Sequence, residues 1–141
     1  MLNDGLKLTG KLTIALNNEV VQEVPNLVVT AGKNFVASRM KDTTDSAMSH
    51  MAIGTGSTAA AAGDTALGSE SARTALTSTT VTNNEIVYVD TFAAGTGTGA
   101  ITEAGIFNAS SGGDMLCRTV FSVVNKGASD AMTITWTVTV S

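Results

Sequence analysis

The chain has 141 residues, of which 43% are apolar, 14% charged and only 4% aromatic, with fourteen glycines, one proline and one cysteine. That size buries one core and is short for two, so residues 1–141 read as a single domain with a short polar segment, 1–5, at its start. Eight basic against twelve acidic residues argue against a nucleic-acid partner, which Lys and Arg would have to hold by displacing counterions, and the single Cys117 rules out an intramolecular disulfide.

The N-terminus lacks the basic and apolar regions of a signal peptide, and no apolar run approaches the ~20 residues that span a bilayer. The expectation is therefore a soluble chain made in the cytoplasm, with no membrane partner. From Leu6 to Leu16 the residues alternate, with Leu6, Leu8, Leu12, Ile14 and Leu16 on one face and Lys7, Thr9, Lys11 and Thr13 on the other, the pattern of a half-buried strand. Asn17 and Asn18 supply a turn, Glu19 to Val24 returns as a second strand, and Pro25 ends it by removing a ladder donor. In the segment 30–41 the period changes. Phe35, Val36, Arg39 and Met40 fall at helical offsets behind Thr30, a possible cap, and predict one short helix over Gly32 to Met40.

Asp42 to Ala47 is a polar break, and Met48 to Ile53 reads as a short strand. From Gly54 to Arg73 the chain is rich in Gly, Ala, Ser and Thr and irregular, a loop long enough to predict a functional or interface role. Thr74 to Thr82 and Glu85 to Ala93 form a second hairpin about Asn83 and Asn84, followed by strands at Ala100 to Asn108 and Met115 to Val124. The last strand is the clearest: Met132, Ile134, Trp136, Val138 and Val140 alternate with four threonines and Ser141. About eight or nine strands separated by Gly, Asn and Ser turns predict an all-β chain, an antiparallel β-sandwich or jelly-roll-like module with one short α-helix. Its expected core draws on Leu12, Ile14, Leu16, Ile53, Val87, Ile106, Phe107, Val120, Ile134, Trp136 and Val138.

Residues able to carry chemistry are few. His50 is the only histidine and has no second ligand at metal spacing, so it reads as a strand-edge or packing residue; Cys117, within a strand, reads as an inert core thiol. Asp42 and Asp45 lack the spacing of a calcium loop and read as a solvated turn. The glycine-rich runs 54–58 and 95–99 lack a P-loop lysine and read as turns, and Asn108 opens a sequon that has no consequence without secretion. Glu103 stands out, because its strand is otherwise largely apolar. A carboxylate there is predicted to be buried and paired with Arg73 or Arg118. No catalytic, cofactor-binding or metal-binding residue set emerges, and the expectation is a protein that is not an enzyme and takes no cofactor.

Three segments carry a resemblance: 26–40 (NLVVTAGKNFVASRM); 51–68 (MAIGTGSTAAAAGDTALG) with Glu70 and Arg73; and 102–108 (TEAGIFN) running on to Ser141. Together they resemble small virion structural proteins of tailed bacteriophages, a group that includes capsid decoration (cement) proteins and tail-fibre-like proteins. The similarity covers most of the chain from Asn26 onward. It implies a non-enzymatic, commonly oligomeric β-module located in the virion and made in the host bacterial cytoplasm. Its implied partners are the major capsid protein and copies of itself, as a homotrimer, with capsid decoration the favoured role and a tail-fibre or tail-tip attachment module the alternative. Segment 55–71 and residues 1–5 are the expected contact surfaces, the former because small side chains permit close backbone approach.

Overall fold

The computed structural model describes residues 5–41 and 45–141. The expected contact residues Met1 to Asp4, and Asp42, lie outside these. Leu8–Leu16 (β1) and Glu19–Pro25 (β2) form the first hairpin, and φ values of 51° and 69° at Asn17 and Asn18 show why asparagine occupies both turn positions. Leu27–Val28 (β3) leads into the one helix, Thr30–Arg39 (α1). The chain continues through His50–Gly54 (β4), Glu70–Ala75 (β5), Ser78–Thr82 (β6), Glu85–Phe92 (β7), Gly99–Phe107 (β8), Met115–Lys126 (β9) and Met132–Val140 (β10).

These strands make two antiparallel five-stranded sheets, ordered β2-β1-β10-β7-β6 and β3-β9-β8-β4-β5, packed as a sandwich with no closed barrel. Between them lie Leu12 and Ile14 of β1, Tyr88 and Phe92 of β7, and Ile134, Trp136 and Val138 of β10. Met51, Ile53, Ala104, Ile106, Cys117 and Phe121 of the second sheet face them. The β10 alternation is realised as read, with threonines on the outer face, where Thr91 and Thr133 hydrogen-bond across strands at 2.9 Å.

The second sheet is covered on both faces. Its outer side carries a smaller apolar cluster of Val29, Ala52, Phe107 and Met115 closed by Leu67 of the 55–69 segment. That double burial explains why β8 shows no alternation: Ala104 and Ile106 face the first sheet while Glu103, Gly105 and Phe107 face the segment above. Gly105 allows this close approach, since a Cβ there would stand 3.0 Å from the Leu67 side chain and 3.2 Å from the Cys117 carbonyl oxygen, both tight contacts.

Four expectations need correction. Residues 74–82 are not one strand: β5 pairs with β4 in one sheet and β6 with β7 in the other, and half-buried Leu76 packs against the core at the crossing. The loop after β4 consequently ends at residue 69, earlier than expected. The helix begins at Thr30, which is its first residue and not its cap. Val29 holds the cap position without a side-chain bond, and the Thr30 N–H donates instead to the Ala62 carbonyl at 2.8 Å, so the 55–69 segment satisfies the helix start. Val87 and Val120, expected in the core, are half-buried and outside it: Val87 faces outward between Ile86 and Tyr88, and Val120 lies beside a register shift at Ile101/Glu103, whereas Leu16, half-buried at the end of its strand, does pack against the core.

The helix lies close on β9, where a Cβ on Gly32 would stand 2.0 Å from the Leu116 carbonyl oxygen. Gly32→Ala should therefore lower the melting temperature even though helix propensity alone would favour alanine by about 1 kcal/mol; an unchanged or raised melting temperature in a thermal denaturation would contradict this packing.

Candidate functional site

The 55–69 segment has little regular structure, yet it is held as a third layer by one buried side chain. Glu103 is fully buried on the outer face of β8. Its carboxylate accepts the backbone N–H groups of Gly56, Gly68 and Ser69, each at 2.7 Å, and the Arg118 guanidinium through Nη2 at 2.9 Å and Nε at 3.2 Å. Arg118 reaches further into the segment, donating to Asp64 Oδ2 at 2.8 Å and the Thr58 carbonyl at 3.0 Å. Asp64 accepts the Ala61 N–H at 2.8 Å, and Thr102 donates to the Gly56 carbonyl at 2.7 Å. The pair thereby holds the loop at Gly56, Thr58, Asp64 and the Gly68–Ser69 stretch.

The local sequence serves this geometry. A Cβ at Gly56 would lie 2.4 Å from Glu103 Oε2, and one at Gly54 2.3 Å from the Ser69 carbonyl, so the run after β4 is glycine-rich in order to admit a carboxylate and a second backbone. Burial by itself pushes the Glu103 carboxyl up, but the Gly68 and Ser69 amides, Arg118 and the Gly56 amide together outweigh it and hold the group below the usual carboxylate range. Asp64 is likewise lowered, chiefly by the Ala61 N–H, with Arg118 assisting against desolvation.

Arg118, then, is the partner of Glu103. Arg73 plays a separate part in the fold. It binds Glu70 through two nitrogens at 2.7 and 3.1 Å, donates to the carbonyls of Ala109 and Gly112, and stacks 3.7 Å above the Phe107 ring. These contacts tie the start of β5 to the β8–β9 turn. Asn108 closes that turn from within, accepting the Asp114 N–H at 2.7 Å. Gly95 and Gly97, both at positive φ, lie in the turn before β8, and Gly99, also at positive φ, opens the strand.

The remaining candidates do not converge on chemistry. His50 is half-buried at the start of β4 with Nδ1 2.7 Å from the Ser49 hydroxyl. A triad would need an acid hydrogen-bonded to the other side of the imidazole, whereas the buried carboxylate nearby, Asp90, receives the hydroxyls of Thr74 at 2.5 Å and Thr77 at 3.4 Å. Cys117 is wholly buried, which pushes its thiol far up. Asp45 receives the Ser38 hydroxyl at 3.2 Å. Among the described residues no three His, Cys, Asp or Glu side chains group to hold a metal, and no helix is long and apolar enough to cross a membrane.

Asp90 shares the face of Ile86, Tyr88 and Phe92, but Val87 and Val89 on the other side leave the inner face of the strand open in the sequence, so pattern alone does not single it out. It faces inward and ties the β5–β6 crossing to β7. Burial pushes its carboxyl up, with Thr74, the Thr91 N–H, Thr77 and His50 pulling back only in part.

The two buried carboxylates give opposite pH dependences. Glu103, lowered on folding, stabilises the fold above its unfolded value and loses that contribution as pH falls through the folded one. Glu103→Gln should cost roughly 3–5 kcal/mol at neutral pH, because it removes one of the two carboxylates paired with Arg118 and turns an amide NH2 towards backbone N–H donors, and the gap to the parent should close in acid. Asp90, raised on folding, destabilises as pH rises through its folded value, so Asp90→Asn should gain relative to the parent towards neutral pH and match it in acid. Thermal melts across the acid range check both; parallel curves for parent and variants would contradict the assignments.

Comparison with family models, with curated proteins and with solved structures finds no match for this chain.

Proposed function

We propose that this protein is a non-enzymatic structural component of a tailed-bacteriophage virion, a capsid decoration (cement) protein that binds the outer surface of the major capsid protein and stabilises the head. The observation that carries the reading is the 55–69 layer. Its outward residues, among them Thr55, Ser57, Thr58, Ala59, Ala61, Gly63, Thr65 and Ala66, are exposed, small and nearly uncharged, while the Glu103–Arg118 pair fixes their backbone from beneath. Such a surface loses little conformational entropy on contact and lets another backbone approach closely. Many modest contacts of this kind, repeated over a lattice, hold a cement protein by avidity.

The resemblance of segments 26–40, 51–73 and 102–141 to phage virion proteins supports the same class. The attachment reading has less support. Recognition of host glycans favours exposed rings, but Trp136, Tyr88, Phe92, Phe107 and Phe121 are buried and Phe35 is half-buried.

Imaging virions that carry the labelled protein tests this reading: label should distribute over the capsid lattice, and label confined to the tail or to one vertex would overturn it. On the same particles, Ala59→Arg combined with Ala66→Arg should reduce incorporation at least tenfold. Both sites are exposed, so the free protein should lose no more than about 0.5 kcal/mol of stability per substitution, about 1 kcal/mol for the pair. Normal incorporation of the double variant would remove the 55–69 layer as the capsid contact.

A further inference from the structure

The four sheet edges are not treated alike. At one end of the first sheet, β2 carries Glu19 and Glu23, ends in Pro25 and is bulged against β1 between Ile14 and Ala15. In the second sheet, β3 is two residues long and runs into the helix, and β5 carries the Glu70–Arg73 ion pair and a register shift against β4. Charges, proline, bulges and shortness are the devices that stop a strand edge from recruiting another strand. The fourth edge, β6, has none of them. Ser78, Thr79, Thr80, Val81 and Thr82 are all exposed, uncharged, rich in β-formers and in unbroken register with β7.

We propose that β6 is a self-association edge, and that two copies of this chain pair antiparallel through it about a two-fold axis at Thr80. The occupant follows from charge and register. An edge without charge meets its own copy without like-charge repulsion, which β2, with Glu19 and Glu23, cannot do. Full overlap of two five-residue strands sets Thr80 opposite Thr80 of the second copy, Thr79 opposite Val81, and Ser78 opposite Thr82. A one-residue slip is excluded because it would set residues of opposite faces against each other.

This register also accounts for an otherwise open apolar groove. Thr79 and Val81 share one face of β6 and, with Ile86 of β7, form one wall of a groove of about 370 Å³ whose other wall is Phe35, Val36 and Met48. Val81 is 67% exposed at its rim. In the paired arrangement the second copy's Val81 lies beside Thr79 on that same face and extends the outer wall of the groove, and the symmetric contact repeats on the other copy. The two first sheets become one continuous ten-stranded sheet. The contact is isologous and closes on itself, making the solution species a dimer in place of the homotrimer that the resemblance implies. It does not depend on what the 55–69 layer binds.

Light scattering of the purified full chain over a wide range of concentration tests the pairing, with dimer growing in as concentration rises. Thr80→Lys, which sets two ammonium groups against each other on the axis, and Val81→Lys should each weaken dimerisation at least about tenfold. Val21→Lys on the opposite edge should leave it unchanged, with circular dichroism confirming a folded chain in each case. A chain that stays monomeric at every concentration, forms a trimer, or dimerises equally well with Thr80→Lys and Val81→Lys would overturn the proposal. Should Thr80→Lys fail to fold, Val81→Lys alone decides.

Discussion

A buried carboxylate that cannot be left unpaired organises the molecule. Removing an ionised group from water costs several kcal/mol even after relaxation, and the cost is offset only when its oxygens meet donors in good geometry. Glu103 meets three backbone amides and a guanidinium, all from residues distant in the chain. None of those donors is in place until β8 has paired with β9 and the chain beyond β4 has turned back over the sheet. The pair therefore acts as a registration device: a segment of Ala, Gly, Ser and Thr, with almost no side chain of its own to bury, acquires one backbone path because its amides have one acceptor. Leu67 adds the apolar half of the same anchor, filling the space above Gly105 between Ala52, Phe107 and Met115.

On the proposed function, the protein would act through the surface that this packing fixes. The sandwich interior is filled by aliphatic and aromatic side chains, the outer face of the first sheet is lined by threonines, and the outer face of the second is capped by the pinned segment. Even its polar buried groups serve to join elements. Lys126 donates to the Ala93 carbonyl at 2.9 Å, Arg73 joins β5 to the β8–β9 turn, and Asp90 joins the β5–β6 crossing to β7. The 55–69 layer thus presents fixed backbone and small side chains to its surroundings, which is what the proposed lattice contact would use.

Much of this was legible from residue order. The alternation in β1 and β10 gave both strands and their faces, because each has one solvated side, and Glu103 was conspicuous as a carboxylate in an apolar strand. Arg118 could not be separated from Arg73 by pattern, since the choice depends on the β8–β9 register and its two shifts. The break at Leu76 and Thr77 was hidden inside a run of Thr and Ser that suits either a strand or a crossing. Val87 and Val120 misled for a related reason: apolar residues on both sides of a strand leave its inner face undetermined. Asp90 shared the parity of Ile86, Tyr88 and Phe92, but that face could not be told from the one carrying Val87 and Val89, and its partners Thr74 and Thr77 are chemically ordinary. The helix start was legible in type but not in mechanism, because what satisfies the Thr30 amide is a carbonyl at Ala62, thirty-two positions further along.

The central claim is that the 55–69 segment is a fixed layer of the fold and not a mobile surface loop. Native-state hydrogen exchange reads this directly at the three amides that Glu103 receives. The account predicts that the Gly56, Gly68 and Ser69 amides exchange as slowly as those of central strands β8 and β10, and that they open together. Fast exchange at these three positions, at the rate of exposed turns such as 95–98, would contradict it.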